Sequence, residues 1–103
     1  MIVYLSSKIL LHRKLSDTGE KAEFIDEKRC VKEGISLEEF LCELCAIYNS
    51  SFKSQVYDPG NGELCKDTMI VLNGHHLSLL ANGINTILKE GDHLSILPVV
   101  AGG

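Results

Sequence analysis

The sequence predicts an α+β domain in which one main helix packs on one face of a sheet. Three observations predict it. The segment from Ser36 to about Asn49 has helical periodicity behind a capping box. Runs rich in Ile, Leu and Val stand before it and after it. Turn-forming residues separate those runs. The chain has 103 residues, is 45% hydrophobic and holds two Pro, a globular composition sufficient for one domain with one core.

Ile2 to Leu11, rich in Ile, Leu, Val and Tyr, reads as the first strand. Asp17, Thr18 and Gly19 mark a turn between Ser16 and Glu20. Lys21 to Val31 alternates loosely through Ala22, Phe24 and Cys30 and reads as a second strand. In the helix Ser36 is the N-cap, and Glu39 three residues on completes the capping box. Leu37, Phe40, Leu41, Leu44 and Tyr48 fall on one face, and Glu38 and Glu39 lie in the first turn, where the helix dipole favours anions. Asn49 to Asp67 is polar and turn-rich, with Asp58-Pro59-Gly60-Asn61-Gly62 holding most of the breakers. It reads as a loop that admits a short helical turn near Phe52. Met69 to Leu72 is a short buried strand. Asn73-Gly74 accepts positive φ at both residues, which suits a type I′ turn, and His75 to Leu80 then returns as a strand. Asn82-Gly83 closes that strand, Ile84 to Leu88 holds one 3₁₀ turn, and Glu90-Gly91-Asp92 is another turn. His93 to Val99 is the last strand, alternating until Pro98 ends its hydrogen bonding. The first and last strands suit parallel pairing at the centre of a mixed sheet of four to five strands.

The formal net charge is -4, and the basic residues are scattered, as at His12-Arg13-Lys14 and Lys28-Arg29. That pattern argues against nucleic acid, which calls for clustered Lys and Arg, and suits a basic protein partner instead. The start of the chain lacks a basic region ahead of its apolar stretch, which Ser6, Ser7 and Lys8 interrupt, so no secretory signal is expected. No run approaches the roughly 20 apolar residues of a membrane-spanning helix. The expectation is a cytoplasmic protein whose four cysteines, Cys30, Cys42, Cys45 and Cys65, are reduced.

The second half carries a longer register. Val71-Leu72-Asn73-Gly74 comes first, then Glu90-Gly91-Asp92, then Leu94-Ser95-Ile96-Leu97-Pro98-Val99-Val100-Ala101-Gly102-Gly103. This order of Gly-Asp, strand, Pro, short hydrophobic step and closing Gly-Gly resembles the C-terminal half of the MoaD/ThiS sulfur carriers. Those are ubiquitin-like β-grasp proteins and include the small subunit of molybdopterin synthase. Tyr57-Asp58 through Leu64 also resembles a segment of the family's longer members. The resemblance covers residues 57–103, nearly half the chain. In the first half Leu10-Leu11-His12-Arg13-Lys14 stands where the family has a Phe-Ala-x-Leu-Arg-like segment. Val99 stands where many molybdopterin-type members have a second Pro.

The resemblance implies a β-grasp domain over 1–98 and a flexible tail over 99–103. It implies a non-catalytic carrier that works through the carboxylate of Gly103. A ubiquitin-activating-type adenylyltransferase would form an acyl-adenylate there from ATP and Mg²⁺, and a sulfurtransferase would supply the sulfur that turns it into a thiocarboxylate. No cofactor is implied as a permanent occupant, and no metal ligands. Gly102, Ala101, Val100 and Pro98 would be the residues by which partners recognise the tail. Glycine has no Cβ, so Gly102 and Gly103 suit a narrow channel. The length favours the molybdopterin-type members, with a larger catalytic subunit such as that of molybdopterin synthase as partner. Carriers for thiamin, cysteine or tRNA thiolation remain alternatives, as do a protein modifier joined through Gly103 to lysines and a binding module whose Gly-Gly end is incidental.

Other candidates read as structural. Cys42-Glu43-Leu44-Cys45 has redox or zinc spacing, but it lies inside the expected helix and no second pair follows at zinc-finger spacing. His75 and His76, adjacent in a strand, should face opposite sides. His93 reads as a strand-face histidine, and Leu77, Leu79 and Leu80 divide between core and an exposed patch. Arg13, Lys14 and Lys53 read as solvated. No nucleophile, base and orienting group can be assembled from the sequence.

Overall fold

A computed structural model describes residues 1–15 and 19–99 of the chain; the side chains of 12–15, 19–22 and 49–51 lie outside that description. The two N-terminal strands are longer than their sequence pattern. β1 spans Ile2–Leu15 and β2 spans Gly19–Cys30, paired antiparallel from Ile2↔Cys30 to Leu15↔Gly19. Most of the expected turn, 16–18, lies outside the described residues, and Gly19 already belongs to β2. The register shifts between Ser7 and Leu11, where β1 carries extra residues. Ser7 is buried there, yet its hydroxyl donates to the Ile9 carbonyl at 2.9 Å and accepts from the Ile9 N–H at 3.3 Å. The irregularity thus satisfies the one polar side chain found buried among the described residues.

Helix α1 spans Leu37–Gln55. The Ser36 hydroxyl accepts from the Glu39 N–H at 3.1 Å, and the Glu39 carboxylate accepts from the Ser36 N–H at 3.2 Å, completing the capping box. The helix runs through Asn49 to Ser51, where the sequence suggests a loop. Phe52 explains the difference. It lies one turn beyond Tyr48 on the same stripe and is fully buried, so its packing outweighs the weak helix propensity of three polar residues.

The stripe of Leu37, Phe40, Leu41, Leu44, Tyr48 and Phe52 packs on the inward residues Val3, Leu5, Leu11, Ile70, Leu94 and Ile96 of the sheet. After the helix, β3 (Tyr57–Asp58) and β4 (Glu63–Leu64) form a two-stranded hairpin in the segment expected to be a loop. Side chains shape its turn: Asp58 Oδ1 accepts from the Gly60 N–H at 2.8 Å, and Asn61 Oδ1 from the Glu63 N–H at 3.0 Å.

β5 spans Thr68–Leu72, and Asn73 (φ 51°) and Gly74 (φ 84°) turn it into β6 with the positive angles a type I′ turn requires. The return strand is shorter than expected. β6 holds only His75–His76, because His76 Nδ1 accepts from the Ser78 N–H at 3.0 Å and bends the chain into a 3₁₀ turn over Leu77–Leu79. A second 3₁₀ turn covers Gly83–Asn85. The extended segment after it is pinned to the loop before α1, with Leu37 N–H donating to the Thr86 carbonyl and Leu88 N–H to the Ile35 carbonyl. β7, His93–Pro98, runs parallel to β1 and antiparallel to β5.

The main sheet therefore has the order β2-β1-β7-β5-β6, with the first and last strands side by side at its centre. A five-stranded mixed sheet crossed by one helix is the β-grasp architecture, as expected.

Candidate functional site

β7 determines where the C-terminal segment leaves the domain. Leu94 and Ile96 are buried beneath α1 and alternate with Ser95 and Leu97 on the opposite face. The register is fixed on both sides, by Tyr4↔His93 through Ser7↔Ile96 on β1 and by Leu72↔Leu94 through Thr68↔Pro98 on β5. Pro98 is exposed at the strand's end, where its missing N–H leaves no gap inside the sheet. Val99, assigned to the tail in the sequence reading, donates its N–H to the Asp67 carbonyl at 3.0 Å. The other tail residues, Val100, Ala101, Gly102 and Gly103, lie outside the described residues.

Two clefts flank this exit. One, of about 290 Å³, is lined by Leu64, Cys65, Met69, His76, Leu77 and Val99. The other, of about 250 Å³, is lined by Ile9, Gln55, Cys65, Thr68 and Pro98. Cys65 borders both. The floor between them is fastened by side chains: the Gln55 amide donates to the Leu10 carbonyl at 3.3 Å, and the Thr68 hydroxyl donates to the Gln55 carbonyl. The end of α1 is thereby tied to β1 and β5 under the point of exit. Neither bond was legible in the sequence, since Gln55 belongs to the segment expected to be a loop and Thr68 stands just before the expected strand at Met69.

At the far end of β7 the residues that carry the family resemblance make structural bonds. Asp92 accepts from the Asn73 amide at 2.9 Å with Oδ1 and from the Lys89 N–H at 2.7 Å with Oδ2. Asn73 Oδ1 accepts from the His93 N–H at 2.8 Å, and the Asn73 N–H donates to the His93 carbonyl at 2.8 Å. The Asp92 carbonyl accepts from the Tyr4 N–H, and Gly91 N–H donates to the Ile2 carbonyl. The Glu90 carboxylate accepts from the Ile2 N–H. This web anchors the start of β7 to β1 and β5, so the strand is fixed at the end opposite Pro98 and Val99.

Two of the cysteines, Cys42 and Cys45, are packed into the helix face rather than poised for chemistry. Cys45 is buried, its thiol donates to the Tyr57 carbonyl at 3.3 Å, and burial pushes its pKa up to about 11. Burial, then the Glu38 and Glu39 carboxylates, also raise Cys42, so neither thiol is poised as a thiolate. The Tyr57 hydroxyl donates to Glu38 Oε2 at 2.8 Å, and burial together with that bond lifts it to about 12. Among the described residues no group of three or more His, Cys, Asp or Glu side chains is placed to hold a metal ion. His75 is exposed, His76 is engaged with Ser78, and the His93 ring stacks on Tyr4 with centroids 4.6 Å apart. Leu77 is buried and Leu79 exposed, which divides that leucine set. Among the described residues no helix is long and apolar enough to cross a membrane.

The ThiS family model matches residues 17–103. Among curated proteins none matches the chain in sequence. Solved structures that share its fold include the following three. The HVO 2177 protein of Haloferax volcanii is 24% identical, with a TM-score of 0.63 over 100% of this chain and 87% of its own. SAMP1 of Haloferax volcanii is 17% identical, with a TM-score of 0.62 over 100% of both chains. The small archaeal modifier protein 1 of Methanosarcina acetivorans is 22% identical, with a TM-score of 0.53 over 100% of this chain and 99% of its own.

Proposed function

The chain belongs to the ThiS family, and on that premise we propose that it is a sulfur carrier loaded at Gly103. The observation that carries this reading is the extent of the family match, which runs to Gly103 and takes in the whole segment from Gly91 onward. In the proposed cycle the Gly103 carboxylate attacks ATP on an adenylating partner, pyrophosphate leaves, and an acyl-adenylate forms. A persulfide sulfur displaces AMP, and thiol cleavage of the remaining sulfur–sulfur bond leaves the thiocarboxylate. ATP and Mg²⁺ belong to that partner; this chain contributes the reacting end and the surface that positions it. The acceptor is a cofactor precursor of the molybdopterin type, reached in complex with a larger catalytic subunit.

The geometry suits this work. β7 sits between two strands and is held at its start by the Asn73–Asp92 web, so the exit point at Val99 is fixed relative to the whole domain. A partner reading the domain surface therefore finds the tail at a constant offset, which lowers the cost of threading it. Gly102 and Gly103 let a channel close on the backbone, and Pro98, Val100 and Ala101 give its mouth apolar contacts.

Intact mass spectrometry tests the proposal. The protein is incubated with ATP, Mg²⁺, a persulfide source and the cognate adenylating enzyme. Exchange of one oxygen for one sulfur, abolished by deleting Gly103, is the expected result. An unmodified mass, with the enzyme active on another carrier, refutes it. A second reading, conjugation of Gly103 to lysines, begins with the same adenylate and suits the fold shared with a small archaeal modifier protein. An isopeptide adduct in place of the thiocarboxylate would select it.

A further inference from the structure

Among the described residues β2 is the outermost strand of the main sheet and pairs only with β1. Its other edge presents backbone N–H and C=O groups, a template for an added strand. Beside the last residues of that edge, between it and the first half of α1, lies a cleft of about 460 Å³ whose lining includes Val31, Ile35, three carboxylates (Glu38, Glu39 and Glu43) and one cation, Lys32. Val31 and Ile35 are buried and make its floor apolar, while Glu39 and Glu43 are exposed on its rim.

The charge of the protein is concentrated here. Between residues 26 and 43 six carboxylates (Asp26, Glu27, Glu33, Glu38, Glu39, Glu43) face three cations (Lys28, Arg29, Lys32), a net of -3 out of the chain's -4. Two of those cations are already tied inside the region, Lys32 to Glu39 at 2.9 Å and Arg29 to Glu27 at 3.3 Å. The field beside the open edge is therefore negative.

We propose that β2 and this cleft receive an extended, basic segment of a partner protein. It adds as a sixth strand, sets alternate apolar side chains over Val31 and Ile35, and brings Lys or Arg toward Glu43. Main-chain bonds supply the affinity, and the acidic rim selects the charge and speeds encounter. The site lies at the opposite end of the sheet from Pro98 and Val99. Cys30 pairs with Ile2 at the end of the sheet where β7 begins, whereas Pro98 and Val99 stand where β7 finishes. A segment bound at β2 does not cover the Pro98 end of β7, and the proposal does not depend on sulfur carriage.

The probe is a capped heptapeptide of alternating Val and Lys, titrated into the full chain and followed by amide NMR shifts. Expected are shifts along 26–31 and 38–43, with binding about tenfold weaker for a peptide N-methylated along its pairing edge or carrying Glu for Lys. Glu43→Lys should weaken binding several-fold while the free protein's spectrum stays that of a folded domain. Equal binding of the N-methylated peptide, shifts confined to other strands, or no binding overturns the proposal. So does a concentration-dependent dimer paired through β2, which would make the occupant a second copy.

Discussion

Asn73 combines two roles that no other residue type fills together. Its φ of 51° is left-handed, and its amide bridges Asp92 and His93. Asn73→Ala should cost about 2 kcal/mol, from two lost hydrogen bonds and a left-handed alanine, read as a lower urea midpoint. Cys45 supplies a pH signature. Its pKa rises from 9.0 to about 11 on folding, so the folded state holds its proton after the unfolded chain has released it. The stability this gives is complete below pH 9 and is lost as the pH climbs toward about 11. Melting temperature should fall over that window, and Cys45→Ala should make the fall shallower; an unchanged slope would deny the thiol this part. The pair Asn73-Gly74 was legible in the sequence because its backbone demand is local. The partners of Cys45 and Asn73 were not, because Tyr57 and Asp92 reach them only through the fold.

The helix shows which signals carry at the scale of one element. Its start was legible from Ser36 and Glu39, since capping is settled within four residues. Its end was not, because Asn49, Ser50 and Ser51 favour a turn locally while Phe52 is held by side chains from across the core. Phe52→Ala should therefore cost about 3–5 kcal/mol and fray the last turn, whereas Ser36→Ala should cost about 1 kcal/mol. Denaturant unfolding separates the two, and equal losses would show that the last turn stands without its aromatic anchor. The β6 strand failed in sequence for a related reason. The leucines after His76 read as alternation, but a side-chain cap on Ser78 turned them into a 3₁₀ turn. The reading of Val100 to Gly103 rests on the family pattern, and those residues lie outside the described ones.

Across the whole molecule the sheet is closed by its last strand. β7 joins the β1–β2 hairpin to the β5–β6 hairpin, and without it neither half has a partner. A chain ending at Asp92 should show no cooperative melt by circular dichroism; a sharp transition in it would mean that β1 and β5 can associate directly. Deleting Gly102 and Gly103 is the opposite case. It removes residues beyond the last described ladder bond at Val99, so the melting midpoint should hold, while the sulfur loading proposed at Gly103 should disappear. The central place of β7 also sets a schedule for synthesis. On a ribosome the first six strands and the helix emerge with their middle missing, and the domain closes only after Pro98 has cleared the exit tunnel. Translation interrupted earlier yields a chain that quality control can recognise as unfinished, because the middle of its sheet is missing.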